Sequence, residues 1–177
     1  MEQKVGTLAA APWSKRTIVR TILLVCLATF IVGMVATAHA EDDSRCSNAT
    51  ASGNWGFTTS GTVFLPPTGV AALVVLVGRF TMDASGNLVG TQTRSLNGAI
   101  NDETFSGTIT VNPDCTATFA VSVFHSGVLN RTATLDLVFL NSLREYRGVF
   151  TSAILEPSGT KIATVLEMDG KKIVPGE

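Results

Sequence analysis

The chain has 177 residues, of which 45% are hydrophobic and 15% are charged, and its formal net charge at pH 7 is −1. Lysine and arginine together number 13 against 14 acidic residues, and no basic patch is visible, which argues against nucleic acid as a partner. This length suits one domain with a full hydrophobic core and a short N-terminal segment.

Residues 1–40 have the pattern of a secretory signal peptide. Basic residues precede a run without charge at 21–38, which ends in the small-residue motif Ala38-His39-Ala40. We therefore predict cleavage between Ala40 and Glu41 and a secreted or periplasmic protein that leaves the membrane after cleavage. An uncleaved membrane anchor stays open as the alternative, because the apolar run approaches the length of a membrane-spanning helix.

Two cysteines follow the predicted signal: Cys46 in a lead-in segment at 41–53, and Cys115 in a turn at mid-chain. An even number of cysteines in an exported domain indicates a disulfide, with two free thiols as the alternative. His125 is the only histidine after the signal, and we expect it in a surface turn. Because no cysteine or histidine pair has metal-ligand spacing, we predict neither a metal site nor a cofactor.

The segment 54–170 alternates between apolar and polar residues, which predicts strands, and a tail at 171–177 follows it. Short breaks rich in Gly, Pro, Asn, Asp and Ser separate the strands, and such turns join antiparallel neighbours. The predicted strands are Asn54–Leu65, Val70–Met82, Leu88–Leu96, Glu103–Val111, Thr116–Phe124, Leu129–Leu140, Arg144–Leu155 and Lys161–Met168. We predict an eight-stranded antiparallel up-and-down barrel, with a two-sheet sandwich as the alternative.

An eight-stranded barrel is either filled by its own side chains or holds one small ligand. The predicted inner face is mostly apolar and aromatic, and four of its residues are candidate ligand contacts: Phe105, Phe119, Tyr146 and Phe150.

The third predicted strand places polar residues in the same phase as apolar ones. Gln92 and Arg94 share a face with Leu88 and Leu96, and the two leucines suggest that this face is inside. A buried arginine must be paired or must bind an anion, so Gln92 and Arg94 join the candidate ligand contacts. In the alternative, the opposite face at 89–95 points inward and Arg94 lies in water.

The neighbouring acids Asp102 and Glu103 carry a different expectation. Adjacent strand residues point to opposite faces, so a shared acid–base site is not expected, and a solvated turn is the default interpretation. Asp136 could pair with Arg94 only if its own strand were reversed in phase.

The second predicted strand is continuously apolar from Val70 to Val77, so it places Leu73, Val75 and Val77, with Ala71, on the outside of the sheet. An apolar stripe on a soluble domain is typical of a contact surface, which predicts a protein partner or a homo-oligomer. Cover by the lead-in segment or by the C-terminal tail is the alternative.

Several segments at turns and strand edges carry a resemblance to known proteins: Cys46–Thr50, Gly53–Phe57, Ser60-Gly61, Gly78–Asp83, Ser85–Leu88, Gly90–Thr93, Thr104–Thr108 and Thr110–Cys115. These segments resemble a group of small secreted bacterial proteins that are largely uncharacterised. The resemblance implies an eight-stranded barrel similar to the calycin or allene oxide cyclase type. Cyclase catalytic residues have no match here, so the resemblance implies no catalytic residue.

These patterns favour an exported binding module for a small apolar ligand or a protein partner. An enzyme of the cyclase or isomerase kind is an alternative, because catalysis by an enclosed apolar cavity needs few polar groups. A structural or assembly protein of the cell envelope that uses the stripe is a further alternative.

Overall fold

The computed structural model describes residues 46–174. These residues form a single helical turn and nine strands. The elements are α1 (Asn48–Ala51), β1 (Gly53–Leu65), β2 (Val70–Met82), β3 (Asn87–Leu96), β4 (Ala99–Val111), β5 (Thr116–His125), β6 (Val128–Leu140), β7 (Glu145–Leu155), β8 (Thr160–Lys161) and β9 (Ala163–Lys172). The predicted signal peptide and its cleavage site at Ala40 and Glu41 lie outside the described residues. Within residues 46–174, no helix is long and apolar enough to cross a membrane.

All strand pairings are antiparallel, and they close the sheet on itself. Each strand from β1 to β7 pairs with the next one, and β9 pairs with both β7 and β1. The two-residue β8 pairs with β7 just before β9 begins, so β8 and β9 together make the eighth strand of the barrel. The predicted eight-stranded up-and-down barrel is therefore confirmed over the sandwich alternative.

The β3–β4 hairpin is tighter than the sequence analysis predicted. β4 begins at Ala99 instead of Glu103, because Asn97 and Gly98 alone make the turn, with φ angles of 47° and 90°. Positive φ at both central residues is typical of two-residue hairpins, and Asn-Gly is the preferred pair for it. Asp102 and Glu103 consequently lie inside a strand.

Alternation along each strand fills the barrel with apolar side chains and leaves threonine and serine outside. In β5, Phe119, Val121 and Val123 are buried, whereas Thr116 and Thr118 are exposed. The same alternation buries residues from all eight strands of the barrel in one core. One apolar and one polar face per strand is the pattern that a sheet wetted on one side requires.

One end of the barrel, which we call the closed end, is packed solid. It carries the turns at 83–86, 112–115 and 141–144. The Trp55 ring is completely buried there, with ring centres 5.5 Å from Phe139 and 5.4 Å from Tyr146. The Trp55 indole N–H donates to the Ala51 carbonyl at 3.0 Å, so α1 lies directly across this end.

A disulfide and further hydrogen bonds fasten the segment before β1 to the closed end. The predicted disulfide between Cys46 and Cys115 is present, and it joins this segment to the β4–β5 turn. The Asn48 side chain accepts a hydrogen bond from the Val111 amide at 2.8 Å and donates to the Ser85 carbonyl at 3.2 Å. The lead-in segment therefore acts as a plug for this end.

Glycines on the inner face give space to aromatic rings on neighbouring strands. Gly78 pairs with Phe57 across β1 and β2, and Gly90 pairs with Phe105 across β3 and β4. A Cβ atom on Gly78 would lie 2.6 Å from the Phe57 ring, closer than such atoms approach in proteins. Large rings thus fit inside a narrow barrel because their cross-strand partners have no side chain.

Candidate functional site

A partly open cavity of about 240 Å³ lies toward the opposite end, which we call the open end. This end carries the turns at 66–69, 97–98, 126–127 and 156–159. Most of the wall is aliphatic or aromatic, and the polar residues that line it are Thr59, Gln92, Arg94, Asn130, Arg131 and Thr164. An apolar cavity of about 150 Å³ can bind benzene, so this one has room for a single ring with a short substituent.

Three phenylalanines form the floor of the cavity. The rings of Phe57 and Phe105 meet edge to face, with centres 5.7 Å apart. Phe119 lies 5.6 Å from Phe80, which belongs to the packing below. The floor therefore separates the cavity from the closed end, and it gives a ligand flat aromatic surfaces to contact.

A charged group of four side chains, which we call the Glu103 cluster, lies beside the cavity: Glu103, Gln92, Arg94 and Arg131. The Glu103 side chain has no exposed surface, and the Gln92 amide donates to its Oε2 at 2.7 Å. Arg131 donates to both carboxylate oxygens at 2.7 Å, and Arg94 donates through Nε to Oε1 at 2.9 Å. The carboxylate thus accepts four hydrogen bonds, three of them from positive groups.

Strand register brings these four side chains together. Gln92 on β3 pairs directly with Glu103 on β4, and Arg94 follows two residues later on the same face. Arg131 reaches them from β6, where it pairs with Val123 next to an irregularity in the β5–β6 ladder. A side chain as long as arginine can reach across one intervening strand inside a narrow barrel.

The cluster keeps its carboxylate ionised. Burial alone would raise the pKa of Glu103, but the hydrogen bonds and charge of Arg131, the Gln92 amide and the charge of Arg94 together lower it to about 2. Glu103 is the only carboxylate among residues 46–174 that forms an ion pair with either arginine. Two arginines against one glutamate leave the cluster with a net positive charge.

Two side chains beside the cavity, Arg94 and Thr59, have polar atoms that form no hydrogen bond to any of residues 46–174. Arg94 uses only its Nε atom within the cluster, and its two terminal nitrogens bond to no described residue. The Thr59 hydroxyl is buried, lines the cavity and has no hydrogen-bond partner. Buried polar groups in proteins almost always have a partner, so an unpaired one marks a place where a ligand or water can bind.

The structure brings together five of the six predicted ligand-contact residues. Gln92, Arg94, Phe105, Phe119 and Phe150 all line the cavity. The inner face of β3 is the one that carries Gln92 and Arg94, because the alternative face at 89–95 is mostly exposed.

Tyr146 lies elsewhere. It does not line the cavity, and it is fully buried among the rings of the closed end, where its hydroxyl has no partner among residues 46–174. Burial, followed by the negative charge of Asp169, raises the pKa of Tyr146 far above its ordinary value.

The expectation that Glu103 lies in a solvated turn is wrong. Glu103 is buried and is the centre of the cluster, whereas its neighbour Asp102 is exposed and accepts a hydrogen bond from the Thr93 hydroxyl at 2.7 Å. Asp136 is exposed as well and accepts from Thr118, so it does not pair with Arg94.

Sequence reasoning missed Arg131 completely, although a signal was present. Arg131 is in phase with the buried Ala133 and Leu135 of β6.

His125 lies at the exposed end of β5, with a ring nitrogen 3.3 Å from the Asp102 carbonyl. Within residues 46–174, no group of three His, Cys, Asp or Glu side chains is placed to hold a metal ion.

The predicted contact residues of β2 lie on the outer surface. Leu73 is 67% exposed, Val75 59% and Val77 58%. The cross-strand neighbours of Val75 are Ser60 on β1 and Ser95 on β3, so polar residues flank the stripe on both sides. The lead-in residues from Cys46 onward lie at the closed end and do not cover it.

No protein-family model matches the chain. No curated protein sequence matches it. Among solved structures, one similar chain is that of EF1p2_mFAP2b bound to DFHBI, with 11% sequence identity and a TM-score of 0.44. The match covers 70% of this chain and 94% of that chain.

Proposed function

We propose that the protein is a binding module that holds one small, largely apolar ligand inside the open end of its barrel. The observation that carries this proposal is the cavity of about 240 Å³ above an aromatic floor. Each square ångström of apolar surface that a ligand buries there contributes roughly 25 cal/mol.

The size of the cavity supports a binding role over a packing defect. Protein interiors are close-packed and contain few voids larger than a water molecule. This cavity opens to solvent and its wall is mostly apolar, so water inside it finds few hydrogen-bond partners. A ligand that displaces this water removes the apolar wall from water, which favours binding.

The ionised Glu103 supports binding over catalysis. A carboxylate with a pKa of about 2 is a weak base at neutral pH, and its oxygens are occupied by four hydrogen bonds. Its role is to hold Arg94 and Arg131 at the cavity. A binding module returns its ligand unchanged, whereas a cyclase or isomerase would convert it, and mass spectrometry of the recovered ligand separates the two.

We place this function outside the reducing cytoplasm, in the periplasm or beyond the cell. The disulfide between Cys46 and Cys115 supports this, because such bonds persist mainly in oxidising compartments.

Titration of the 15N-labelled protein with toluene tests the binding proposal. We expect amide shifts concentrated on strands that carry Phe57, Phe105 and Phe119. Ala133→Leu adds bulk to the cavity wall and should abolish the shifts. Ala120→Leu adds the same bulk on the exposed face of β5 and should leave them unchanged. Shifts that survive Ala133→Leu, or no shifts at millimolar toluene, would overturn the proposal.

A second proposal concerns the stripe on β2. Three large apolar side chains lie side by side, each more than half exposed, between strands that present serine and threonine. A second copy of the chain would cover them by pairing the same patch about a two-fold axis. Such pairing would also suit an assembly protein of the cell envelope.

A further inference from the structure

We propose that the ligand is a small apolar acid, whose anionic head binds Arg94 and whose apolar body lies on the phenylalanine floor. This inference rests on the proposed function and adds the chemical class of the ligand.

The first argument is charge. The Glu103 cluster contains two guanidinium groups and one carboxylate, and no other carboxylate of residues 46–174 pairs with either arginine. The side chains of Arg94 and Arg131 are only 16% and 15% exposed. A positive charge that is largely removed from water needs a partner, and a ligand anion supplies one.

The second argument is the division of work between the two arginines. Arg131 meets Glu103 with both terminal nitrogens, so its fork is already occupied. Arg94 meets Glu103 through Nε alone, and its terminal nitrogens bond to no described residue. Because Arg94 lines the cavity, these nitrogens are the donors that can reach a carboxylate inside it.

The third argument is the unpaired hydroxyl of Thr59. Thr59 pairs with Leu76, which pairs with Arg94, so one inner row contains both polar residues on strands two apart. Their Cα atoms are therefore about 10 Å apart, or two strand spacings. Thr59 is 2% exposed, and its hydroxyl has no hydrogen-bond partner in the described part of the chain. A ligand that carries a second oxygen at the far end of its apolar body would satisfy this hydroxyl.

Calorimetric titration with three related probes tests the inference. Cinnamate has a ring and a carboxylate, cinnamamide is its neutral analogue, and 4-hydroxycinnamate adds an oxygen at the far end of the ring. We expect cinnamate to bind at least tenfold more tightly than cinnamamide. We expect 4-hydroxycinnamate to bind more tightly than cinnamate, and Thr59→Val to remove that gain alone.

Variants identify the residue that binds the carboxylate of the ligand. Arg94→Leu should bring cinnamate and cinnamamide to nearly equal affinity, because Arg131 still holds Glu103 and the cluster becomes neutral. Arg147→Leu removes the same charge from an exposed ion pair with Asp169 on the outer surface, so it should keep the tenfold preference. An equal effect of both variants would overturn the assignment to Arg94.

The outcomes separate this inference from the proposed function. Cinnamamide that binds as tightly as cinnamate overturns the acid and leaves the apolar binding module standing. Toluene binding without binding of either cinnamate or its amide also counts against the acid alone. Failure of all probes, toluene included, overturns both. The comparison of acid with amide uses the unmodified protein, so it holds even where a variant fails to fold.

Discussion

Arg131 donates two parallel hydrogen bonds of 2.7 Å to the carboxylate of Glu103, one to each oxygen. This pair connects β6 to β4 inside the barrel, and the carboxylate side chain has no exposed surface. Two-pronged arginine–carboxylate pairs are the strong, geometrically specific kind. Arg131 therefore carries most of the task of neutralising Glu103, and Arg94 adds one further bond.

Removal of Arg131 should destabilise the fold more than removal of Arg94. Arg131→Leu leaves the buried carboxylate with the Gln92 amide and a single charged partner, Arg94, and should lower the free energy of unfolding by about 3–5 kcal/mol. Arg94→Leu should cost more than about 1 kcal/mol but less than Arg131→Leu, because Glu103 keeps its two-pronged partner. Urea denaturation measures both. An Arg94→Leu effect within about 0.5 kcal/mol would contradict its place in the cluster.

Acid should weaken the fold through Glu103. Its pKa is about 2 in the folded protein against an ordinary 4.5, so the folded state favours the ionised form. The resulting stabilisation is fully present above pH 4.5 and is lost as the pH falls toward 2. The loss is on the order of 3 kcal/mol. Urea denaturation from pH 7 to pH 2 measures it.

Glu103→Gln is the control for this acid effect. The exposed Asp83 and Asp114 also have lowered pKa values, through hydrogen bonds from Asn87 and Thr116 respectively, so acid weakens their interactions as well. The difference between the two proteins therefore isolates Glu103. Parallel pH profiles for the natural protein and Glu103→Gln would refute the prediction.

The disulfide between Cys46 and Cys115 should stabilise the folded protein against unfolding. Cys46 and Cys115 enclose 69 residues, and the chain-entropy model gives about 4 kcal/mol of stabilisation for such a loop. We expect that alkylation of the unfolded, unreduced protein adds no mass at these two cysteines. Reduction, or Cys46→Ser with Cys115→Ser, should lower the free energy of unfolding by about that amount. Two alkylated thiols without reductant would show that the bond does not form in solution.

Gly90→Ala should destabilise the barrel. Its Cβ would lie 2.5 Å from the Arg79 carbonyl oxygen and within the contact distance of the Phe105 ring. Overpacking of this kind costs about 1–3 kcal/mol. Gly56→Ala is the matched control, because its nearest neighbour is an Ile173 methyl group 3.8 Å away. Thermal unfolding should separate the two variants, and equal melting temperatures would rule out the steric role of Gly90.

The stripe on β2 should drive self-association. Leaving each large side chain in water forgoes roughly 1.5–3 kcal/mol, and a paired copy would recover part of it. Val75→Glu introduces a charge into the contact and should give a monomer. Ala120→Glu adds the same charge on the outer face of β5, which is not adjacent to β2, and this variant should still associate. Light scattering at micromolar concentration measures both, and a monomeric natural protein would end the proposal.

The architecture could be predicted from the sequence because each strand repeats one pattern. Alternation identified the inner residues, and short turns dictated antiparallel neighbours. The cysteine pair also followed from composition, since Cys46 and Cys115 had no other partner after the signal.

The charged site was only half predictable, for a physical reason. Arg94 was recognised because leucines flank it in phase. Glu103 was in phase with Phe105, yet its charge and the neighbouring Asp102 favoured a turn in the sequence analysis. Arg131 was in phase with Ala133, but its partner lies on β4, two strands away in the closed sheet. The phase of each charge was visible in its own strand, but the pairing was not, because it joins segments that are distant in sequence and neither charge alone is stable inside.

The unequal ends of the barrel have a consequence for engineering and for sequence drift. The aromatic packing around Trp55 and the disulfide lie at the closed end, whereas the entrance of the cavity is formed by the other ends of the same strands. Substitutions at Leu65, Leu96 or Leu155 can reshape the entrance without disturbing the ring packing around Trp55. Such a barrel can acquire a new ligand specificity through substitutions at the entrance of the cavity, while the residues of the closed end stay unchanged.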